Sequence, residues 1–179
     1  VYAWDEHITP EKLTQLQTDF PRVAFASGDF PKNWNKPEFF KNIAAAVLSP
    51  GIALNNQHIK YALQNLCVIS DFDLFFAQVT VPVLAITGTN GKSTVTCLLS
   101  EIAKAAGKQV AVGGNLGVPV LDLLHPDNEV YILEASSFQL QRSRSFPVDS
   151  ACILNFAPDH LDQHASLQEY YAAKQQIYN

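Results

Sequence analysis

The sequence predicts an α/β protein made of two successive segments in which short apolar strands alternate with helices and pair in parallel. Three observations predict it. Strand-length apolar runs, such as Val83 to Thr87, Val130 to Leu133 and Ser150 to Leu154, are separated by stretches long enough for the crossovers that parallel pairing needs. Glycine-rich turns stand at the carboxyl ends of two of these strands, where α/β sheets bind ligands. Of the 179 residues 47% are apolar and only 16% charged, against roughly 25% charged in an average domain, which excludes disorder and coiled coil.

Twelve basic and seventeen acidic residues give a net charge of −5, which argues against nucleic-acid binding by bulk charge and leaves a local anion site open. No apolar run approaches the ~18 residues of a membrane span, so no membrane association is expected. No basic start precedes an apolar stretch, so no signal peptide is expected either. Cys67, Cys97 and Cys152 lie far apart in apolar segments and read as reduced core thiols of a cytoplasmic protein. The chain opens on Val1-Tyr2-Ala3-Trp4, a strand already under way, and closes at Asn179 inside a helical pattern. It is therefore expected to be part of a longer chain.

In order, Val1 to Trp4 reads as a strand ending at Asp5, and Pro10 to Asp19 as a helix with proline near its start. Ser27 to Pro37, rich in Pro, Asn and Gly, reads as a loop between the strands Val23 to Ala26 and Ala44 to Leu48. Ser49-Pro50-Gly51 is a turn. Asn55 to Asn65 reads as a helix, Cys67 to Ser70 as a strand, and Asp71 to Ala77 as a helix. A break follows at Val81-Pro82. Strand Val83 to Thr87 then passes through Gly88-Thr89-Asn90-Gly91 into a helix from Lys92 to Ala106, stopped by Gly107. Strand Gln109 to Val112 meets a second glycine loop, Gly113 to Gly117, and a short helix to Leu124. Strands Val130 to Leu133 and Ser150 to Leu154 end at Glu134 and Asn155, and a last helix starts at Ser166.

Gly88-Thr89-Asn90-Gly91-Lys92-Ser93-Thr94 carries the chemistry. Between a buried strand and a helix, successive N–H groups, a positive helix end and a lysine converge on one anion. Lys92 would neutralise phosphates and the Ser93 hydroxyl would ligate Mg2+. The strict P-loop pattern wants glycine where Ile86 stands. The alternative is a glycine turn capping a helix, with Lys92 solvated.

Glu134, at a strand's carboxyl end, suits Mg2+; otherwise it is a surface acid. Ser136-Ser137-Phe138-Gln139 is polar and turn-like, with Ser137 as a helix cap. His160, flanked by Asp159 and Asp162, suits a cation or a structural role, and His164 reads as solvent-facing. The spacing of Cys and His argues against structural zinc. Asn115 suits a ligand hydrogen bond or a turn. Lys174 reads by pattern alone as an exposed helix lysine, and Asp5 as the acid placed on a ribose or base.

Five segments, in order and at about the same spacing, resemble the Mur ligases of peptidoglycan synthesis, and most closely their D-glutamate-adding branch. They are Ala85 to Thr94, Gly113 to Gly117, Leu133 to Leu140, Ile153-Leu154-Asn155 with Asp159 to Asp162, and Tyr171 to Lys174; Ser49 to Ile52 is similar more loosely. The resemblance implies an incomplete Rossmann-like N-terminal domain over residues 1–81, binding the UDP-linked substrate. It implies the front half of a P-loop-type ATPase domain over 82–179, and a C-terminal domain outside the chain.

It also implies ATP-dependent addition of D-glutamate to UDP-N-acetylmuramoyl-L-alanine through an acyl phosphate, in the cytoplasm, by a monomer that uses no nucleic acid or membrane. These residues alone would be inactive. Lys92 and residues 88–94 would hold ATP. Ser93 and Glu134 would hold one Mg2+, and His160 a second, bridged by carbamylated Lys174. Asn115, Ser136 and Gln139 would face the muramoyl portion, and Asp5, Ser49 and Gly51 the uridine end, although Glu6 and His7 depart from the family's pattern there. A folylpolyglutamate synthase, another P-loop ligase or kinase, or a non-catalytic nucleotide-binding module are the alternatives.

Overall fold

A computed structural model describes all residues except 33, 35, 53–58, 116 and 160–163. The chain divides into two compact units, Val1–Ala46 with Leu54–Cys67, and Val47–Ala53 with Val68–Asn179.

In the first unit, β1 (Tyr2–Asp5) pairs in parallel with β2 (Ala24–Ser27) across helix α1 (Pro10–Asp19). Proline opens α1, where its missing N–H costs nothing, and the Thr9 side chain caps it by accepting from the Lys12 N–H. At the end of the expected loop, Ser27 to Pro37, begins one turn of helix that composition did not announce, α2 (Pro37–Phe40), again opened by proline. Aromatic rings consolidate this unit. Trp34 stacks on Phe39 at 5.4 Å, Tyr2 meets both edge-on, and the Trp4 indole N–H donates to the Gly28 carbonyl at 2.9 Å.

Strands β3 (Ala45–Val47) and β4 (Cys67–Ile69) form a second two-stranded sheet, with α3 (Lys60–Asn65) between them in sequence. The earlier part of the helix expected from Asn55 lies outside the described residues. Next comes α4 (Asp71–Phe76), capped by Ser70 and Asp73, each accepting from the other's backbone N–H.

The second unit is built on a four-stranded parallel sheet in the order β6-β7-β5-β8, from β5 (Val83–Thr87), β6 (Val110–Gly114), β7 (Val130–Glu134) and β8 (Ser150–Ile153). The crossovers are helix α5 (Lys92–Ala105), a 3₁₀ turn at Val120–Leu123 where a short helix was expected, and helix α6 (Ser137–Arg142). Helix α7 (Leu167–Gln175) closes the chain with a 3₁₀ turn at Gln176–Tyr178.

The period-2 geometry of strands sorts the side chains. Val83 and Ala85 of β5, with Tyr131 and Leu133 of β7, face a core shared with Phe72 and Phe75 of α4. Each buried phenylalanine contributes about 1.5–3 kcal/mol. Ile86, Ile132 and Glu134 point to the opposite face, where α5 packs against β5, β6 and β7. By packing, α4 belongs with the second unit, although the boundary expected from sequence lies downstream of it at Val81.

Three expectations are corrected here. The cysteines are exposed rather than core thiols. His164 is buried, not solvent-facing, because its ring stacks on Phe138 at 5.0 Å and its Nε2 shares a 3.0 Å hydrogen bond with Ser137 Oγ. Ser136–Gln139 is no open turn: Ser136, not Ser137, caps α6. Among the described residues no helix is long and apolar enough to cross a membrane.

Candidate functional site

The site is assembled at the carboxyl ends of β5, β6 and β7. The β5 backbone runs out of the sheet at Thr87, whose Oγ1 donates to the Ala135 carbonyl at 2.7 Å, and enters the loop of residues 88–91. Gly91 has φ +81°, a left-handed conformation that a side chain disfavours, and this bend lets α5 begin at Lys92. Because the residue before the helix is glycine, no side chain caps the first turn of α5, and its N–H groups stay available to an anion. Ile86, where a strict P-loop would carry glycine, is interior strand: 1% exposed, its carbonyl accepting from Ala135 N–H at 2.9 Å. The turn here starts later and is shorter.

Lys92 folds back over its own loop. Its Nζ donates to the carbonyls of Gly88 (2.9 Å) and Thr89 (3.0 Å), so the half-buried side chain lies over the loop and does not extend away from it. The N–H groups of Thr89 and Asn90, expected to cradle an anion, are instead bonded to Asn155 Oδ1 at 3.1 and 2.9 Å. Anion donors in this arrangement therefore begin at the helix start.

Glu134 is 2% exposed, and its carboxylate is shared by two neighbours. Ser93 Oγ donates to Oε2 and Asn115 Nδ2 donates to Oε1, each at 2.7 Å. A buried carboxylate needs such donors or a cation, because desolvation disfavours its charge. Asn115 is delivered by the second glycine loop. Gly114 has φ +98°, its N–H donates to the Val118 carbonyl at 2.9 Å, and a Cβ there would run into the Glu134 carbonyl oxygen, which itself accepts from Asn115 N–H at 2.8 Å. These hard oxygen donors suit Mg2+, which takes one or two protein ligands and completes its shell with water and phosphate oxygens. Among the described residues no three His, Cys, Asp or Glu side chains group as a metal cage.

Lys174 of α7 is also brought to the loop. It is 2% exposed, contrary to the pattern reading, and its Nζ donates to the Gly88 carbonyl at 2.8 Å while lying 4.7 Å from the centre of the Tyr170 ring. Burial, and then the charge of Lys92, push its pKa down to about 8. The Tyr170 hydroxyl shares a 3.0 Å hydrogen bond with Thr89 Oγ1.

The remaining expected residues are placed differently. His160 lies outside the described residues. Ser136 and Gln139 turn their polar groups on each other: Ser136 N–H and Oγ both donate to Gln139 Oε1 at 3.0 Å, closing the start of α6. Ser49 shapes its own turn, with Oγ accepting from Gly51 N–H at 3.4 Å. Asp5 belongs to the other unit, where it is exposed and accepts from His7 N–H at 2.8 Å.

Sequence reasoning gave Asn155 no role, although its position at a strand end beside the loop was the available signal. Two clefts of about 260 and 400 Å3 lie at the amino ends of the strands, lined among others by Val79, Tyr131 and Asp149, and take no part in the site.

With this geometry in hand, the likenesses to known proteins are specific. The model of the Mur ligase middle domain matches residues 86–179. The chain is 45% identical over 178 residues to the UDP-N-acetylmuramoylalanine–D-glutamate ligase of Methylococcus capsulatus, covering 97% of this chain and 37% of that one. It is 45% identical over 182 residues to the protein of the same name from Hydrogenovibrio crunogenus, covering 99% and 39%. With the protein so named from Wolbachia pipientis it shares 44% over 183 residues, covering 100% and 34%. The chain thus spans little more than a third of the length of these relatives. Since the middle-domain match takes in over half of its 179 residues, including the whole loop of residues 88–91 and Glu134, the chain belongs to the Mur ligase family.

Proposed function

We propose that this chain supplies the phosphate-binding part of an ATP-dependent ligase that joins D-glutamate to UDP-N-acetylmuramoyl-L-alanine. The observation that carries the reading is the convergence of Lys92, the uncapped start of α5 and the Ser93–Glu134 pair at one sheet edge. The names of the relatives support the choice of substrates. Residues 82–179 are then the front half of the central ATP-binding domain, and residues 1–81 part of the UDP-substrate domain. The enzyme is a cytoplasmic monomer, and these residues alone do not turn over.

The reaction brings two anions together: the L-alanyl carboxylate attacks the γ-phosphorus, ADP leaves, and the D-glutamate amine displaces phosphate from the acyl phosphate. Charge neutralisation is the main requirement. Lys92 and the N–H groups of residues 91–94 hold the triphosphate. Ser93 and Glu134 hold Mg2+, with Asn115 orienting the carboxylate. Bound Mg2+ would supply Lewis-acid polarisation of the phosphoryl oxygens.

Lys174, as its N-carbamate, and His160 serve a second Mg2+. A pKa of about 8 leaves roughly a tenth of Lys174 as neutral amine at pH 7, the form that reacts with carbon dioxide. Asn115, Ser136 and Gln139 border the muramoyl portion.

Phosphate release by the full-length protein tests this reading. Release that needs ATP, UDP-N-acetylmuramoyl-L-alanine and D-glutamate together is the expected result. Release with a folate and L-glutamate, or nucleotide binding with no release on any substrate, would overturn it.

A further inference from the structure

One side chain holds the phosphate loop without belonging to the proposed chemistry. Asn155 lies two residues beyond the end of β8, the strand paired with β5. Its Oδ1 accepts from the N–H groups of both Thr89 (3.1 Å) and Asn90 (2.9 Å), which fills its two lone pairs, and its Nδ2 donates to the Asn90 carbonyl at 2.9 Å. The Asn90 N–H and the Asn90 carbonyl belong to two consecutive peptide planes, the second of which ends at Gly91. One planar carboxamide therefore fixes both torsions that aim the start of α5.

The next residues continue this splint. Thr89 Oγ1 donates to the Ala157 carbonyl (3.2 Å) and accepts from the Ala157 N–H (3.0 Å), while Thr89 N–H also reaches the Asn155 carbonyl at 3.2 Å. Only an asparagine-like group meets the requirement at 155. Aspartate keeps the acceptors but loses the donor and brings a negative charge beside an anion site, and alanine loses all three bonds.

We infer that Asn155 is a positioning residue for triphosphate binding. It sets the loop in advance so that Lys92 and the first-turn N–H groups of α5 meet the phosphates without reorganisation. The inference rests on the triphosphate reading above and adds to it a residue that touches neither nucleotide nor metal.

The test is equilibrium binding by the full-length protein, with MgATP and the UDP-linked substrate titrated separately into wild type, N155A, N155D and K92A. Melting temperatures are measured without nucleotide. N155A is expected to weaken MgATP about tenfold while the UDP-linked substrate stays within about twofold and the melting temperature within about 2 °C. N155D is expected to lose at least as much, and most at low salt, because its added charge is screened at high salt.

If K92A loses MgATP and N155A keeps it within about twofold, the role of Asn155 is overturned and the triphosphate reading stands. If N155A weakens both ligands alike and melts early, Asn155 is a structural residue and the inference fails. If K92A binds MgATP as wild type does, the triphosphate reading fails and this inference with it.

Discussion

At the residue scale, two buried ionisable groups define the site. Glu134, at 2% exposure, accepts from Ser93 and Asn115. Glu134→Gln preserves the shape and removes the charge. It is expected to weaken Mg2+-dependent ATP binding about 10- to 100-fold with little change in melting temperature, as read by titrating ATP with and without Mg2+. Unchanged Mg2+ dependence would remove Glu134 from the metal site. Lys174 gives a pH signature. Its folded pKa, about 8, lies below the 10.5 of the unfolded chain, so between those values the unfolded state binds more protons. This residue's contribution to stability therefore rises with pH from about 8 toward 10.5 and is flat below 8. Urea titrations of the unmodified protein across that range, beside Lys174→Met, read the difference; equal slopes would contradict it. The burial of Lys174 was invisible to its own helix pattern, because Tyr170, one turn back on α7, covers only part of it and its hydrogen-bond partner, the Gly88 carbonyl, lies 86 positions earlier. His164 was misread for the same reason: Phe138, 26 positions earlier, provides its stacking surface.

At the element scale, the loop of residues 88–91 was legible because its signals are local in sequence: a buried strand, a glycine that turns left-handed and a helix with no capping side chain. Helix α6 was less legible. Its serine-rich start resembles a turn, yet Ser136 and Gln139 stand at the three-residue spacing of a capping box, which was the signal to use. The second glycine loop shows what a strand end can specify. Gly114→Ala would add a Cβ against the Glu134 carbonyl at φ +98°, and the expected cost is about 1–3 kcal/mol of stability. Because the same turn carries Asn115, the metal-dependent part of nucleotide binding should fall as well. Denaturant unfolding and Mg2+ titration of the variant check both; a variant as stable as wild type would show that the loop can shift without loss.

For the whole molecule, strand alternation gave the parallel sheet and its crossovers, since β5 and β7 carry near-continuous apolar runs buried on both faces. What the sequence could not give was partnership across long separations: α4 packing Phe75 edge-on to Tyr131, or Asn155 reaching back to a loop 65 positions earlier. The outward-facing cysteines are the same lesson in reverse, since apolar surroundings in sequence did not mean a buried face. All of this converges on one sheet edge where a lysine, an uncapped helix start and a buried carboxylate meet. The structure of the full-length protein with Mg2+ and a non-hydrolysable ATP analogue is the most direct measurement. The account predicts phosphates against the N–H groups of residues 91–94, Lys92 moved from the Gly88 carbonyl onto them, and Mg2+ touching Ser93 and Glu134. A nucleotide bound elsewhere, with Lys92 still on its loop carbonyls and the Ser93–Glu134 bond intact, would contradict it.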